Sequence, residues 1–167
     1  MQNLLKTLRK KLEIAKKVLV LGIGSELLGD DCAGLLVAGR LKEIFKKKLL
    51  GRKFKALSAG TVPENFTGLI KKFKPTHLVI VDAADLGKKA GSIAVLKPED
   101  TTGVTFSTHR LPTKILTDYL VKSLACEITI IGIQPKSLIF SAAPSKEIKR
   151  AVEVLVNVLT HECCAVK

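Results

Sequence analysis

Three short apolar runs constrain this chain more than any other feature. Lys17 to Gly22 reads Lys-Val-Leu-Val-Leu-Gly, His77 to Ala83 reads His-Leu-Val-Ile-Val-Asp-Ala, and Glu127 to Gly132 reads Glu-Ile-Thr-Ile-Ile-Gly. Runs this short, apolar and β-branched fit strands covered on both faces, as in a largely parallel sheet. Lys53 to Ser58 reads as a weaker strand and Ser92 to Leu96 as a short one. Helical periodicity fills the gaps. Leu35, Ala38, Leu41 and Phe45 keep a helical period, and Phe66, Leu69, Ile70 and Phe73 stand at i, i+3, i+4 and i+7. Ile115, Leu116, Tyr119 and Leu120 mark a helix after Pro112, and Ser145 can cap a last one carrying Ile148, Val152, Leu155 and Leu159. Strands alternating with helices predict a three-layer α/β domain.

The 167 residues contain no linker, repeat or low-complexity stretch, so one domain over residues 1–167 is expected. Residues 1–17 read as a basic amphipathic helix with Leu4, Leu5, Leu8 and Leu12 on one face. Lys6, Arg9, Lys10, Lys11, Lys16 and Lys17 break up any signal-peptide core or membrane span. The net charge of +13 admits an acidic partner, a nucleic acid or plain solubility. Runs such as Lys46-Lys47-Lys48, Lys71-Lys72 and Lys88-Lys89 have no aromatic residues between them for base stacking, which favours a solvated face. Four Cys, at 32, 126, 163 and 164, lack the paired spacing of a structural zinc site. A reducing cytoplasm suits them, and no membrane association is expected.

In an open α/β sheet, ligands bind outside the carboxyl ends of the strands. After the first run comes Gly22-Ile23-Gly24-Ser25-Glu26-Leu27-Leu28-Gly29-Asp30-Asp31-Cys32-Ala33-Gly34. It fails as a dinucleotide turn: Leu27 stands where the third glycine belongs, and two carboxylates would repel a pyrophosphate. On local grounds one aspartate is a helix cap and the other is undecided. Asp82 ends the next run, where it either caps a turn or serves a site; Asp85 reads as a turn residue. His109 lies in the polar loop Thr105 to Pro112. His77 is expected to face solvent or a carbonyl, and His161 to sit in a frayed tail beside Cys163 and Cys164. Two carboxylates and an imidazole meeting at one sheet edge would suit nickel or zinc.

The ordered blocks Gly22-Ile23-Gly24-Ser25 with Gly29-Asp30-Asp31, Ala59 to Asn65, Lys74 to Asp85, Thr108-His109-Arg110-Leu111-Pro112 and Gly132-Ile133-Gln134-Pro135 resemble the hydrogenase maturation endopeptidases. The resemblance is greatest to the formate-hydrogenlyase subgroup and spans about residues 18 to 155. It implies a three-layer α/β/α sandwich with a mostly parallel five-stranded sheet whose fourth strand is antiparallel. The implied activity is removal of the C-terminal extension from a [NiFe] hydrogenase large-subunit precursor after nickel insertion. Asp31, Asp82 and His109 would be both the catalytic and the metal-contacting residues. The nickel would arrive with the substrate, without any organic cofactor, and the enzyme would be a cytoplasmic monomer or small homo-oligomer. Asp30 would support the loop.

Two positions depart from the family pattern: Ser25 replaces Asn, and Cys32 replaces Gly. Ser keeps a loop hydrogen bond, whereas Cys32 puts a thiol beside the expected site, open to oxidation or adventitious metal. Two rival readings are a self-metallated peptidase or amidase of broader range, and a basic nucleotide- or RNA-binding domain. Tight stoichiometric zinc would mark the first, and steeply salt-dependent binding the second.

Overall fold

The structure, a computed structural model, describes residues 2–48, 53–96, 105–106, 119, 122–124 and 126–165. The apolar runs become strands as expected: β1 (Val18–Ile23), β2 (Phe54–Gly60), β3 (His77–Asp85), β4 (Ile93–Leu96), β5 (Thr105–Phe106) and β6 (Glu127–Ile133). Their order across the main sheet is β2-β1-β3-β6-β4. β1 pairs in parallel with β2 and β3, β3 pairs in parallel with β6, and β4 runs antiparallel to β6. This is the five-stranded, mostly parallel sheet that was expected, with its fourth strand reversed. β5 adds a two-residue antiparallel pairing to Ala84 and Asp85, where the sequence suggested only polar loop.

Burial explains the order. All six residues of β1 are buried, so it needs cover on both edges and both faces, and it lies between β2 and β3. β2, the weaker run, alternates buried and half-buried positions and takes an edge, with Lys55 among its half-exposed residues. Alternate residues then divide the core. Val18, Val20, Val79, Val81, Ile131 and Ile133 pack under helices α1 (Gln2–Leu12), α2 (Ala33–Lys47) and α4 (Lys146–Ala165). Leu19, Leu21, Ile23, Leu78, Ile80, Ile128 and Ile130 form the opposite face with Ile70 of α3 (Thr67–Phe73).

Ser145 caps α4 as expected, its hydroxyl accepting the Ile148 N–H at 3.2 Å, and Ile148, Val152, Leu155 and Leu159 are fully buried. Several details differ from the sequence reading. The first helix stops at Leu12 rather than Lys17, because Lys16 and Lys17 donate their N–H groups to the Thr76 hydroxyl and lead straight into β1. Phe66 belongs to a 3-10 turn (Pro63–Phe66), so the helical face it was to share is shorter, and Leu69 stays 44% exposed. His161, Cys163 and Cys164 lie within α4, not in a frayed tail.

His77 is buried rather than solvent-facing. Its Nε2 lies 2.8 Å from the Thr129 hydroxyl, and its Nδ1 is 3.9 Å from Glu127. Parallel pairing of β3 with β6 sets His77 opposite Glu127, a neighbour no local pattern reveals. Of the helix expected after Pro112, Tyr119, Lys122 and Ser123 lie among the described residues and are helical, with Tyr119 exposed. No helix among the described residues is long and apolar enough to cross a membrane.

Candidate active site

The chain leaves β1 at Ile23 and folds back over itself. Gly24 has φ +140°, and a Cβ there would strike the Asp31 carbonyl oxygen, so only glycine lets the turn close over it. The Gly24 N–H donates to the Gly60 carbonyl at 3.1 Å, tying the ends of β1 and β2 together. A 3-10 turn (Gly29–Cys32) then brings both aspartates inside. Asp31 is fully buried, and its Oδ2 accepts the Ser25 N–H at 2.7 Å. The backbone of residue 25 supplies that bond, and the Ser25 hydroxyl keeps a loop bond of its own by accepting the Leu27 N–H at 3.2 Å.

Asp30 faces another way. Its Oδ2 accepts the N–H groups of Lys136 at 2.8 Å and Ser137 at 3.2 Å, and the Ser145 hydroxyl at 2.9 Å. Its Oδ1 accepts the Ser145 N–H at 2.6 Å. One buried carboxylate thus fixes the segment joining β6 to α4, and it orients the hydroxyl that caps α4. Loop support was the role expected of Asp30; its reach, more than a hundred residues along the chain, was not.

Asp82 lies in β3 opposite Gly132 of β6 and is fully buried. A Cβ at Gly132 would stand 3.1 Å from Ala84 Cβ and Leu86 Cδ2, so the position beside Asp82 is kept clear of side chain. Asp85, read from the sequence as a turn residue, is the last residue of β3, and its Oδ1 accepts the Gly87 N–H at 3.1 Å in the turn that follows. Gln134 is the residue sequence reasoning missed. Its Oε1 accepts the N–H groups of Leu86 and Lys88, and its Nε2 donates to Asp85, which holds the loop after β3 against the end of β6. The Gly-Ile-Gln-Pro block flagged the position but not the bonds.

The 3-10 turn packs against β3, and a Cβ on Gly34 would collide with the Val81 carbonyl oxygen. Asp31, on the turn that follows β1, and Asp82, in the adjacent parallel strand β3, therefore both lie toward the carboxyl ends of the strands. His109 lies outside the described residues. Among the described residues no group of three or more His, Cys, Asp and Glu is set to hold a metal. Cys32 is buried, its thiol donating to the Gly29 carbonyl at 3.2 Å. Burial, and then the Asp30 charge, push its pKa up, so the group is held as thiol and not as the reactive thiolate. Buried carboxylates at this edge are suited to gripping a cation, because pairing offsets the cost of desolvating their charge.

A family model described as hydrogenase maturation protease matches residues 35–162. A Methanocaldococcus jannaschii protein carrying the same family name is 41% identical over 152 residues, covering 89% of each chain. The hydrogenase 3 maturation protease of Escherichia coli K12 is 33% identical over 137 residues, covering 81% of this chain and 84% of its own. The crystal structure of a [NiFe] hydrogenase maturation protease, HycI from Thermococcus kodakarensis, superposes with a TM-score of 0.85 at 34% identity. It covers 95% of this chain and 99% of that one. With a family model over most of its length and relatives and a solved structure above 30% identity, the chain belongs to the hydrogenase maturation proteases.

Proposed function

We propose that this protease removes the C-terminal extension of a [NiFe] hydrogenase large-subunit precursor after nickel has been inserted. Asp31, Asp82 and His109 recognise the nickel that the precursor carries. The observation supporting this reading most strongly is the pair of fully buried aspartates toward the carboxyl ends of neighbouring parallel strands, Asp31 on the 3-10 turn that follows β1 and Asp82 within β3. A metal carried by the precursor would bring positive charge to both carboxylates.

In this reading, nickel bound by the precursor is part of the substrate, and the three side chains locate it. Fixing the scissile peptide beside a carboxylate removes a translational and rotational barrier of roughly 7–11 kcal/mol. Asp31, held by the Ser25 N–H, then takes a proton from the attacking water as general base. Cleavage takes place in the cytoplasm.

The test uses nickel-loaded and nickel-free precursor with the wild type, Asp31→Asn and His109→Ala. Cleavage of the loaded form alone, lowered at least roughly a hundredfold in both variants, is the expected result. Equal cleavage of both precursor forms would remove metal recognition, and full activity in the variants would remove the site.

A further inference from the structure

The turn that carries Asp30 and Asp31 also builds an apolar platform. Leu27 is 59% exposed, Leu138 39%, Ile139 68% and Phe140 66%. Leu28 forms an antiparallel bridge with Phe140, so the two segments lie side by side although they are more than a hundred residues apart. Exposed tight turns normally carry Gly, Asn, Asp, Ser or Pro; here Ile139 opens the turn closed by the Ala142 N–H on its carbonyl, and Phe140 stands at the tip beside Ser141. The backbone beneath them is firmly held. The Ser141 N–H donates to the Leu27 carbonyl at 2.8 Å, the Asp30 N–H to the Ser137 carbonyl at 3.0 Å, and the Asp30 carboxylate holds the N–H groups of Lys136 and Ser137. Ser141 even adopts φ +57°, uncommon for a residue with a Cβ. Apolar side chains fixed to a rigid backbone in water are preorganised to receive something.

We infer that this platform is the docking surface for an apolar, extended segment of the precursor flanking the scissile bond; the inference rests on the function proposed above. Area and charge select the occupant. Four side chains this exposed offer about 450 Å², well under the roughly 800 Å² per partner of a stable dimer, so a second copy fits poorly. Glu26 stands exposed beside Leu27, and Asp30 and Asp31 lie beneath, which opposes an anionic bilayer despite the chain's overall positive charge. A short peptide matches the area. The loop that carries Asp31 is tied to the platform by the Asp30 N–H on the Ser137 carbonyl and the Ser141 N–H on the Leu27 carbonyl, so a peptide bound at that loop has this rim beside it. The platform would contribute binding without touching the chemistry, with Phe140 as the aromatic anchor.

The experiment compares the full-length wild type with Ile139→Ser/Phe140→Ser, Leu27→Ser and Phe140→Tyr on nickel-loaded precursor, recording KM, kcat and melting temperature. The expected result is a KM raised roughly tenfold or more in the serine variants, with kcat and melting temperature nearly unchanged and Phe140→Tyr close to wild type. Should the double variant melt early, Leu27→Ser on the facing segment supplies the same readout. A wild type that leaves the precursor uncut overturns the proposed function and the platform with it. A wild type that cuts, with variants of unchanged KM, overturns the platform alone. So does a variant that alters only sedimentation, the signature of a second copy, or only phosphatidylserine-vesicle binding, the signature of a membrane.

Discussion

Asp30 and Asp31 are adjacent, equally buried and chemically identical, yet their surroundings give them different work. Asp31 accepts a backbone N–H from its own loop, while Asp30 collects three backbone N–H groups and a hydroxyl from a distant segment. Replacing Asp30 with Ala strands those donors in the interior, where each unmet group costs about 1–3 kcal/mol. Asp30→Ala should therefore lose about 3 kcal/mol or more in urea unfolding. The same variant should also disturb the cap of α4, because the Ser145 hydroxyl loses its acceptor. At this scale the sequence marked both aspartates as unusual, and the family resemblance separated their roles. No local pattern exposes Gln134 or the Asp30 partners, since those bonds join residues far apart in the chain.

Between elements, the tightest approach is that of α2 to the sheet. A Cβ at Gly22 would run into the Gly34 carbonyl, and one at Gly34 into the Ile23 and Val81 carbonyls, so helix and strands meet glycine to glycine. Backbone carbonyls cannot swing aside like a flexible side chain. Gly34→Ala should thus push the start of α2 off β1 and β3, destabilising by about 1–3 kcal/mol in thermal unfolding. It should also weaken precursor cleavage, because Asp31 rides on the same turn. Gly39→Ala makes a control: nothing lies within 4 Å of a Cβ there, and added helix propensity makes it neutral or slightly stabilising. Strands were legible in the sequence because double-sided burial demands unbroken apolar runs. α3 was less so, since its apolar spacing continues into Phe66, where the backbone is still in a 3-10 turn.

For the molecule as a whole, the far end of the sheet sets a pH limit. Desolvation lowers the His77 pKa from 6.5 to about 4, Lys11 pushes the same way, and Glu127 only partly opposes them. The folded state then holds fewer protons than the unfolded chain between those values, so stability rises with pH across that window. As pH falls from about 6.5 towards 4, about 3 kcal/mol should be lost. His77→Asn should flatten that part of a curve of unfolding free energy against pH. The sequence by itself determined the layered α/β architecture, the strand positions and the loops able to hold chemistry, because burial and turn geometry are written in local spacing. Only the tertiary structure decided which residues meet: Asp30 with Ser145, Gln134 with the loop after β3, His77 with Thr129, and Leu27 with the Phe140 turn. Each of those pairings depends on strand order and register, and contacts across such distances leave no period in the chain.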